Sequence, residues 1–121
     1  GVTVRFTGKL SKAEWIQLSE EYNIFINTTN FDNMPVSVIE AMALGFPIVS
    51  TNVGGLPFLI EDNVDGILVE KANVEAMTNA IRRVFQNADI RTKISRSARE
   101  KAETFAWSHI KTKWYSVFKN L

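Results

Sequence analysis

Short apolar runs alternate with helical patterns along this chain. Val2, Val4 and Phe6 alternate with polar residues and predict a strand over residues 2–7. Three mostly apolar runs predict strands buried on both faces, at residues 24–26, 47–50 and 66–69. Helical spacing and capping residues predict the remaining elements as helices, at residues 12–22, 36–44, 56–60, 74–87, 90–104 and 109–119.

The order of these elements, β-α-β-α-β-α-β-α-α-α, predicts the fold class. Strands that alternate with helices form a parallel, Rossmann-like α/β sheet, here of about four strands, with helices on both faces. Asp89 and Ser108 are expected to cap the last two helices. The apolar residues of the final helix recur at helical spacing and are expected to face the core: Ile110, Trp114, Val117 and Phe118.

Composition excludes several classes of function. The chain has 121 residues, a net charge of +1, a single histidine and no cysteine, so disulfides, zinc fingers and thiol chemistry are excluded. The balanced charge gives no indication of a nucleic-acid partner. No segment is apolar enough to span a bilayer, and a single cytoplasmic domain is expected. The chain opens at Gly1, directly in a predicted strand, which suggests a piece of a longer protein.

Two polar loops follow the second and third predicted strands. Ligands of open α/β sheets bind beyond the carboxyl ends of the strands, where residues 28–34 and 51–56 are expected to meet. The helix between these loops is apolar except for Ser37 and Glu40, which share one face. That face either points to water or contacts a ligand, and the helical pattern alone favours water.

The central motif resembles a known family. Asp32 and Glu40 stand eight positions apart, ahead of Ala-Met-Ala-Leu-Gly-Phe-Pro and a Gly-Gly-Leu-Pro turn that ends at Pro57. This pattern is similar to that of the retaining glycosyltransferases with the GT-B fold, the group 1 family with two glutamates in E-x7-E spacing. Residues 4–8 and 65–69 resemble the flanking strands of that family. The resemblance implies the C-terminal, donor-binding domain, and a sugar transferred from a UDP- or GDP-hexose to a saccharide or lipid-linked acceptor without a metal or other cofactor.

The resemblance also implies roles for single residues. Asp32 takes the catalytic position near the reacting sugar carbon, and Glu40 the position that binds the ribose. The other implied substrate-binding positions are Asn33, Met34, Val36, Gly54 and Gly55. Asp32 departs from the family pattern, because the usual residue there is the longer glutamate. The alternative for Asp32 is a helix cap, since aspartate is a good capping residue.

Alternatives remain open for the function. A nucleotide-sugar epimerase with the GT-B fold, a non-enzymatic nucleotide-binding module and a domain with a vestigial motif are the other candidates. The family keeps an arginine and a lysine for the donor diphosphate upstream of this region, as well as an N-terminal domain that binds the acceptor. The isolated chain is therefore expected to be inactive and to be able to associate with itself through an unpaired strand edge. For the longer protein, attachment to the inner face of the membrane is an alternative to a free cytoplasmic location.

Overall fold

The computed structural model describes all residues, Gly1–Leu121, as three strands and six helices. In chain order they are α1 (Lys12–Ser19), β1 (Phe25–Asn27), α2 (Val36–Ala43), β2 (Ile48–Thr51), α3 (Leu56–Leu59), β3 (Ile67–Val69), α4 (Val74–Gln86), α5 (Ala88–Glu103) and α6 (Trp107–Lys119). Apart from residues 2–7, each predicted element is present, with shifts of a few residues at its ends.

The sheet is parallel, with β2 between β1 and β3. All four residues of β2 are buried, because helices cover the sheet on both faces. Ile48 packs in a core cluster with residues of α2, α3 and α5, whereas Val49 packs in a second cluster with residues of α4. Consecutive side chains of a strand point to opposite faces, which explains this division. The predicted parallel α/β sheet with helices on both faces is confirmed.

The prediction of a strand over residues 2–7 is wrong, and the sheet has three strands instead of about four. Residues 1–8 make no backbone–backbone hydrogen bond, and Phe6 is 95% exposed. The alternating pattern is real, but a strand forms only against a partner strand, and these residues do not pair with β1.

Two predicted helix caps are each wrong by two residues. The side chain of Asn87 accepts a hydrogen bond from the Ile90 amide, so α5 begins at Ala88, two residues earlier than a cap at Asp89 would allow. Ser108 lies inside α6, whose N-cap is Ala106 and has no side-chain hydrogen bond. Asparagine and aspartate are comparable caps, so candidates two residues apart, such as Asn87 and Asp89, cannot be ranked from the sequence.

The predicted inward-facing side of α6 is exposed. No residue of α6 is buried, and 51% of Trp114 and 62% of Phe118 are accessible. These two rings stack on each other with centroids 5.6 Å apart. Helical spacing correctly identified an apolar face, but spacing does not tell which surface, if any, covers it.

A buried ion pair fastens α5 to the segment that precedes β3. The carboxylate of Asp65, 3% exposed, accepts a hydrogen bond from the Glu61 amide at 2.8 Å and pairs with the Lys101 ammonium. Lys101 also donates to the carbonyl oxygen of Leu59 at 3.0 Å. A buried carboxylate is tolerated when it is both paired and hydrogen-bonded, as it is here.

We expect Lys101→Met to destabilise the chain, because it leaves the Asp65 carboxylate buried without a cation. Removing one member of a buried pair costs about 3–5 kcal/mol, and partial exposure of Lys101 lowers our expectation to about 2–3 kcal/mol. The control, Glu103→Gln, breaks an exposed pair with Arg99 and should cost less than about 0.5 kcal/mol. Denaturant unfolding measures both, and equal losses would contradict this account.

Candidate functional site

The loops after β1 and β2 touch backbone to backbone. The Gly55 amide donates to the Asp32 carbonyl oxygen at 3.1 Å. A Cβ on Gly54 would lie 1.7 Å from that oxygen, and one on Gly55 would lie 1.4 Å from the Asn33 carbonyl oxygen. Gly54 also has a φ of +54°, which disfavours any side chain. The close approach predicted for these glycines is thus an approach to the loop that carries Asp32.

The carboxylate of Asp32 is free within the chain. It makes no hydrogen bond and no ion pair, although the residue is half-buried. The N-cap of α2 is Pro35, and no side chain caps this helix. The alternative role of Asp32 as a helix cap is therefore wrong, and its carboxylate is available for another partner.

The amino end of α2 presents free amide groups. The N–H groups of Asn33, Met34, Val36 and Ser37 have no acceptor in the chain. Pro35 has no N–H group. Unpaired amides at a helix N-terminus, together with the helix dipole, favour an anion at that place. Three of these four amides belong to predicted substrate-binding residues.

Glu40 faces a cleft between α2 and α1. The cleft has a volume of about 420 Å³, which is within the range of small-molecule sites. Ser37 and Glu40 line it together, as their shared helix face predicted, and the opposite wall includes Ser11 and Lys12. The Lys12 ammonium lies 3.2 Å from Glu40 Oε1. The sequence pattern did not identify Lys12, because an exposed lysine at the start of a helix carries no distinguishing signal.

A capping box defines where the α1 wall of this cleft begins. The Ser11 amide donates to the Glu14 carboxylate at 2.7 Å, and the Glu14 amide donates to the Ser11 hydroxyl oxygen. Hydrogen bonding to Ser11 lowers the pKa of Glu14 below its usual value. The larger contribution comes from the Ser11 backbone amide and the smaller one from the Ser11 side chain. The capping box predicted from Ser-Lys-Ala-Glu is confirmed.

The predicted site residues thus fall into two neighbouring groups. Asp32 and Asn33 are in contact with Gly54 and Gly55, and Glu40 lies with the cleft residues on the side of α2 that faces α1. Helix α2 and its leading loop connect the two groups. The free amides at the amino end of α2 stand between Asp32 and Glu40 in the sequence.

Sequence reasoning missed a set of polar residues below the Asp32 loop. Asn27, Ser50 and Thr51 are buried at the ends of β1 and β2, and the Thr51 hydroxyl donates to the Thr29 carbonyl oxygen. Their signal was visible in the sequence, since each is a polar residue that ends an otherwise apolar strand. Polar groups inside a sheet need partners, and here they find them in one another and in the loop.

A larger cleft of about 640 Å³ lies away from the predicted site, beside the turn that leads into β2. Two of the three arginines that line it are already engaged. Arg91 donates to the Phe85 carbonyl oxygen at 2.9 Å, and Arg99 donates to the Ala43 carbonyl oxygen. Both therefore satisfy carbonyl groups at helix ends. The smaller cleft at Glu40 is the better candidate, because Ser37, whose amide is free, lines it.

No group of three histidine or acidic side chains is placed to hold a metal ion. None of the helices combines the length and the apolar character needed to cross a bilayer. The prediction that no metal is required stays a prediction.

We expect Gly55→Ala to separate the two loops, because its Cβ cannot fit against the Asn33 carbonyl oxygen. Gly45→Ala is the control: Gly45 has a φ of +81°, but a Cβ there would have only a normal contact at 3.8 Å. Backbone strain alone should cost about 1–2 kcal/mol. Thermal unfolding should show a larger loss for Gly55→Ala than for Gly45→Ala, and the reverse order would contradict the described contact.

Comparison with known proteins identifies the relatives of this chain. A D-inositol 3-phosphate glycosyltransferase from a Nocardioides species is 28% identical over 119 residues, which are 98% of this chain and 26% of that protein. Sucrose-phosphate synthase from Thermosynechococcus elongatus superposes with a TM-score of 0.84 at 24% identity, over 96% of this chain and 29% of the other. Anabaena HepE in complex with UDP-glucose superposes with a TM-score of 0.78 at 22% identity, over 87% and 29%.

The two structures confirm the predicted GT-B type of fold. This chain spans about a quarter of the length of the Nocardioides relative. A sequence profile described as "Glycosyl transferases group 1" matches residues 1–101. Because the matched region is most of the 121 residues, the chain belongs to the glycosyl transferases group 1 family.

Proposed function

We propose that this chain is the donor-binding, C-terminal part of a longer retaining glycosyltransferase. The longer protein transfers a hexose from a UDP- or GDP-sugar to a hydroxyl group of a saccharide or lipid-linked acceptor. The bond between the anomeric carbon and the diphosphate oxygen breaks, and a bond from the same carbon to the acceptor oxygen forms on the same face. The acceptor hydroxyl gives its proton to the departing diphosphate oxygen, and the nucleoside diphosphate leaves.

The arrangement of α2 carries this proposal. Its amino end offers the free amides of Asn33, Met34 and Val36 to the diphosphate. One helical turn further along, the Glu40 carboxylate faces the cleft and accepts hydrogen bonds from the ribose hydroxyls. Hydrogen-bond donors aimed at the diphosphate stabilise the charge that develops on it as the sugar leaves.

Asp32 contacts the donor sugar near the reacting carbon. Its carboxylate has no partner in the chain, so binding the sugar breaks no internal interaction. Aspartate reaches less far than the glutamate of the family pattern. The contact between the Asp32 loop and Gly55 fixes where that shorter side chain begins.

Lys12 competes with the ribose for Glu40. The side chain of Lys12 is 75% exposed and that of Glu40 is 31% exposed, so the pair is an exposed one. Such pairs contribute about 0–1 kcal/mol. The ribose can therefore displace Lys12 at little cost, and the freed ammonium can remain near the donor diphosphate.

Uridine is the first base to test. Anabaena HepE, whose fold is similar, was determined with UDP-glucose bound. The cleft wall that follows Gly8 is where the base would lie, and its lining gives no side-chain signature for uracil over guanine. UDP-sugars are therefore the leading donors in this proposal, and GDP-sugars are the alternative.

The remaining parts of the longer protein complete the site. An N-terminal domain of the same protein supplies the acceptor contacts, and upstream cations neutralise the diphosphate, so the isolated chain has no transferase activity. The exposed apolar face of α6 and residues 1–8 offer surfaces for that domain or for self-association. The longer protein works in the cytoplasm, free or at the inner face of the membrane. No metal takes part.

We expect Glu40→Gln to weaken nucleotide binding by the full-length protein. Hydrogen bonds to a charged group contribute about 1.5–3 kcal/mol, which corresponds to about 10- to 100-fold in Kd for UDP or GDP. Glu100→Gln, on the exposed surface of α5, is the control and should leave the Kd unchanged. Calorimetric titration with UDP and GDP measures both variants. An unchanged Kd for Glu40→Gln would remove Glu40 from the site.

We expect Asp32→Asn to reduce turnover by the full-length protein about 100-fold, because the amide lacks the charge of the carboxylate near the reacting carbon. Release of UDP or GDP from UDP-glucose and GDP-mannose gives the rate, with the exposed Asp89→Asn as control. Conversion of the donor sugar without transfer would favour the epimerase. Nucleotide binding without any turnover would favour a non-enzymatic module.

A further inference from the structure

A chain of hydrogen bonds crosses the sheet where β1 and β2 end. The Asn27 side-chain amide donates to the Ser50 hydroxyl oxygen at 3.1 Å, and the Ser50 hydroxyl donates to the Thr51 carbonyl oxygen at 3.1 Å. The Thr51 hydroxyl donates to the Thr29 carbonyl oxygen at 2.5 Å. Ser50 is fully buried, and Thr51 is 4% exposed. Polar groups buried between two apolar clusters stabilise a structure only when all of them are paired, as they are here.

The loop above this network has few other attachments. Residues 28–34 take part in a single backbone–backbone hydrogen bond, the one from the Gly55 amide to the Asp32 carbonyl oxygen. The other long-range hydrogen bond to the loop comes from the Thr51 hydroxyl. Thr51 and Gly55 are four residues apart on one segment, and they hold the loop at Thr29 and at Asp32.

We propose that Thr51 is a positioning residue, whose buried hydroxyl holds the Asp32 loop at the height that the donor sugar requires. This inference rests on the proposed function, and it adds a residue to which neither the family motif nor the Asp32–Glu40 pair assigns a role. Thr51 does not contact the donor. It acts through the Thr29 carbonyl, three residues before Asp32, and the buried pair of Asn27 and Ser50 fixes the strand ends beneath it.

Loss of the Thr51 network is expected to affect contacts with the donor sugar and to leave nucleotide binding unchanged. No hydrogen bond joins the Thr51 side chain to Glu40 or to the amino end of α2, and α2 is fixed by its own packing against the core. Loss of the Thr51 hydroxyl would leave the Thr29 carbonyl without its donor and free the first half of the loop. A displacement of about 1 Å at a reacting group can cost about 100-fold in rate.

The test compares Thr51→Val, which keeps the shape and removes the hydroxyl, with Thr51→Ser, which keeps the hydroxyl. Both are made in the full-length protein and measured with UDP and UDP-glucose, or with GDP and GDP-mannose if the wild type uses those. For Thr51→Val we expect kcat to fall about 10- to 100-fold, and the ratio of sugar-nucleotide Kd to nucleotide Kd to rise about fivefold. The Kd of Thr51→Val for the nucleotide alone should stay within about twofold of the wild-type value. Thr51→Ser should stay close to the wild type in kcat, in the ratio of Kd values and in the nucleotide Kd.

Ile94→Val, in the core cluster around α4, is the control for lost stability. It removes one buried methyl group that takes no part in the hydrogen-bond network, so it should lower the unfolding temperature without changing kcat or the ratio of Kd values. An active wild type with an unchanged kcat and ratio in Thr51→Val would overturn this inference and leave the proposed function standing. The inference also fails if Thr51→Ser loses as much as Thr51→Val. A wild type that neither binds nor turns over these nucleotides would overturn the proposed function, and this inference with it.

Discussion

The backbone contact between the Gly54–Gly55 turn and the Asp32 loop is the constraint on which the candidate site depends. It leaves no room for a Cβ on either glycine, so two carbonyl oxygens of one loop lie directly against the other loop. The parallel pairing of β1 and β2 brings the loops to the same edge of the sheet. The hydrogen bond from the Gly55 amide then sets their relative position. This contact fixes the geometry of the candidate site, although the strands that carry the two loops, β1 and β2, have only three and four residues.

Helix α2 converts that constraint into a binding surface. Its core-facing residues are fully buried, which fixes the helix against the sheet: Val38, Ala41 and Met42. A Schellman turn ends it, with the Phe46 amide bonded to the Ala41 carbonyl oxygen and Gly45 in the left-handed conformation. The carboxyl end of α2 is hydrogen-bonded and one face of the helix is buried. The polar groups that remain available to a ligand include the free amides at its amino end and the Glu40 carboxylate.

Much of this arrangement could be predicted from the sequence. The apolar runs of β1, β2 and β3, the cap at Gly45 and the shared face of Ser37 and Glu40 are local patterns, and the structure contains all of them. The roles of Asp32 and Glu40 toward a donor come from the family motif and stay predictions.

The errors have a common cause, which is that pattern does not specify partners. Residues 2–7 alternate like a strand but have no strand to pair with, and α6 has an apolar face that nothing covers. For the same reason the sequence did not predict the ion pair between Lys12 and Glu40, which depends on how α1 packs beside α2. The acceptor of the Thr51 hydroxyl could not be predicted for the same reason, since it is 22 residues away in sequence.

The absence of side chains between the two loops has a consequence for how such a site can diversify. The spacing between the loops is set by the van der Waals radii of backbone atoms, and no substitution can adjust it in small steps. Under the function we propose, a change of preferred sugar would therefore come from the side chains that border this rigid frame, such as the exposed Asn33, Met34 and Asn52. The backbone atoms of the two loops set their spacing, and the side chains of the same loops would set the ligand preference. The side chains can therefore vary while the spacing is preserved.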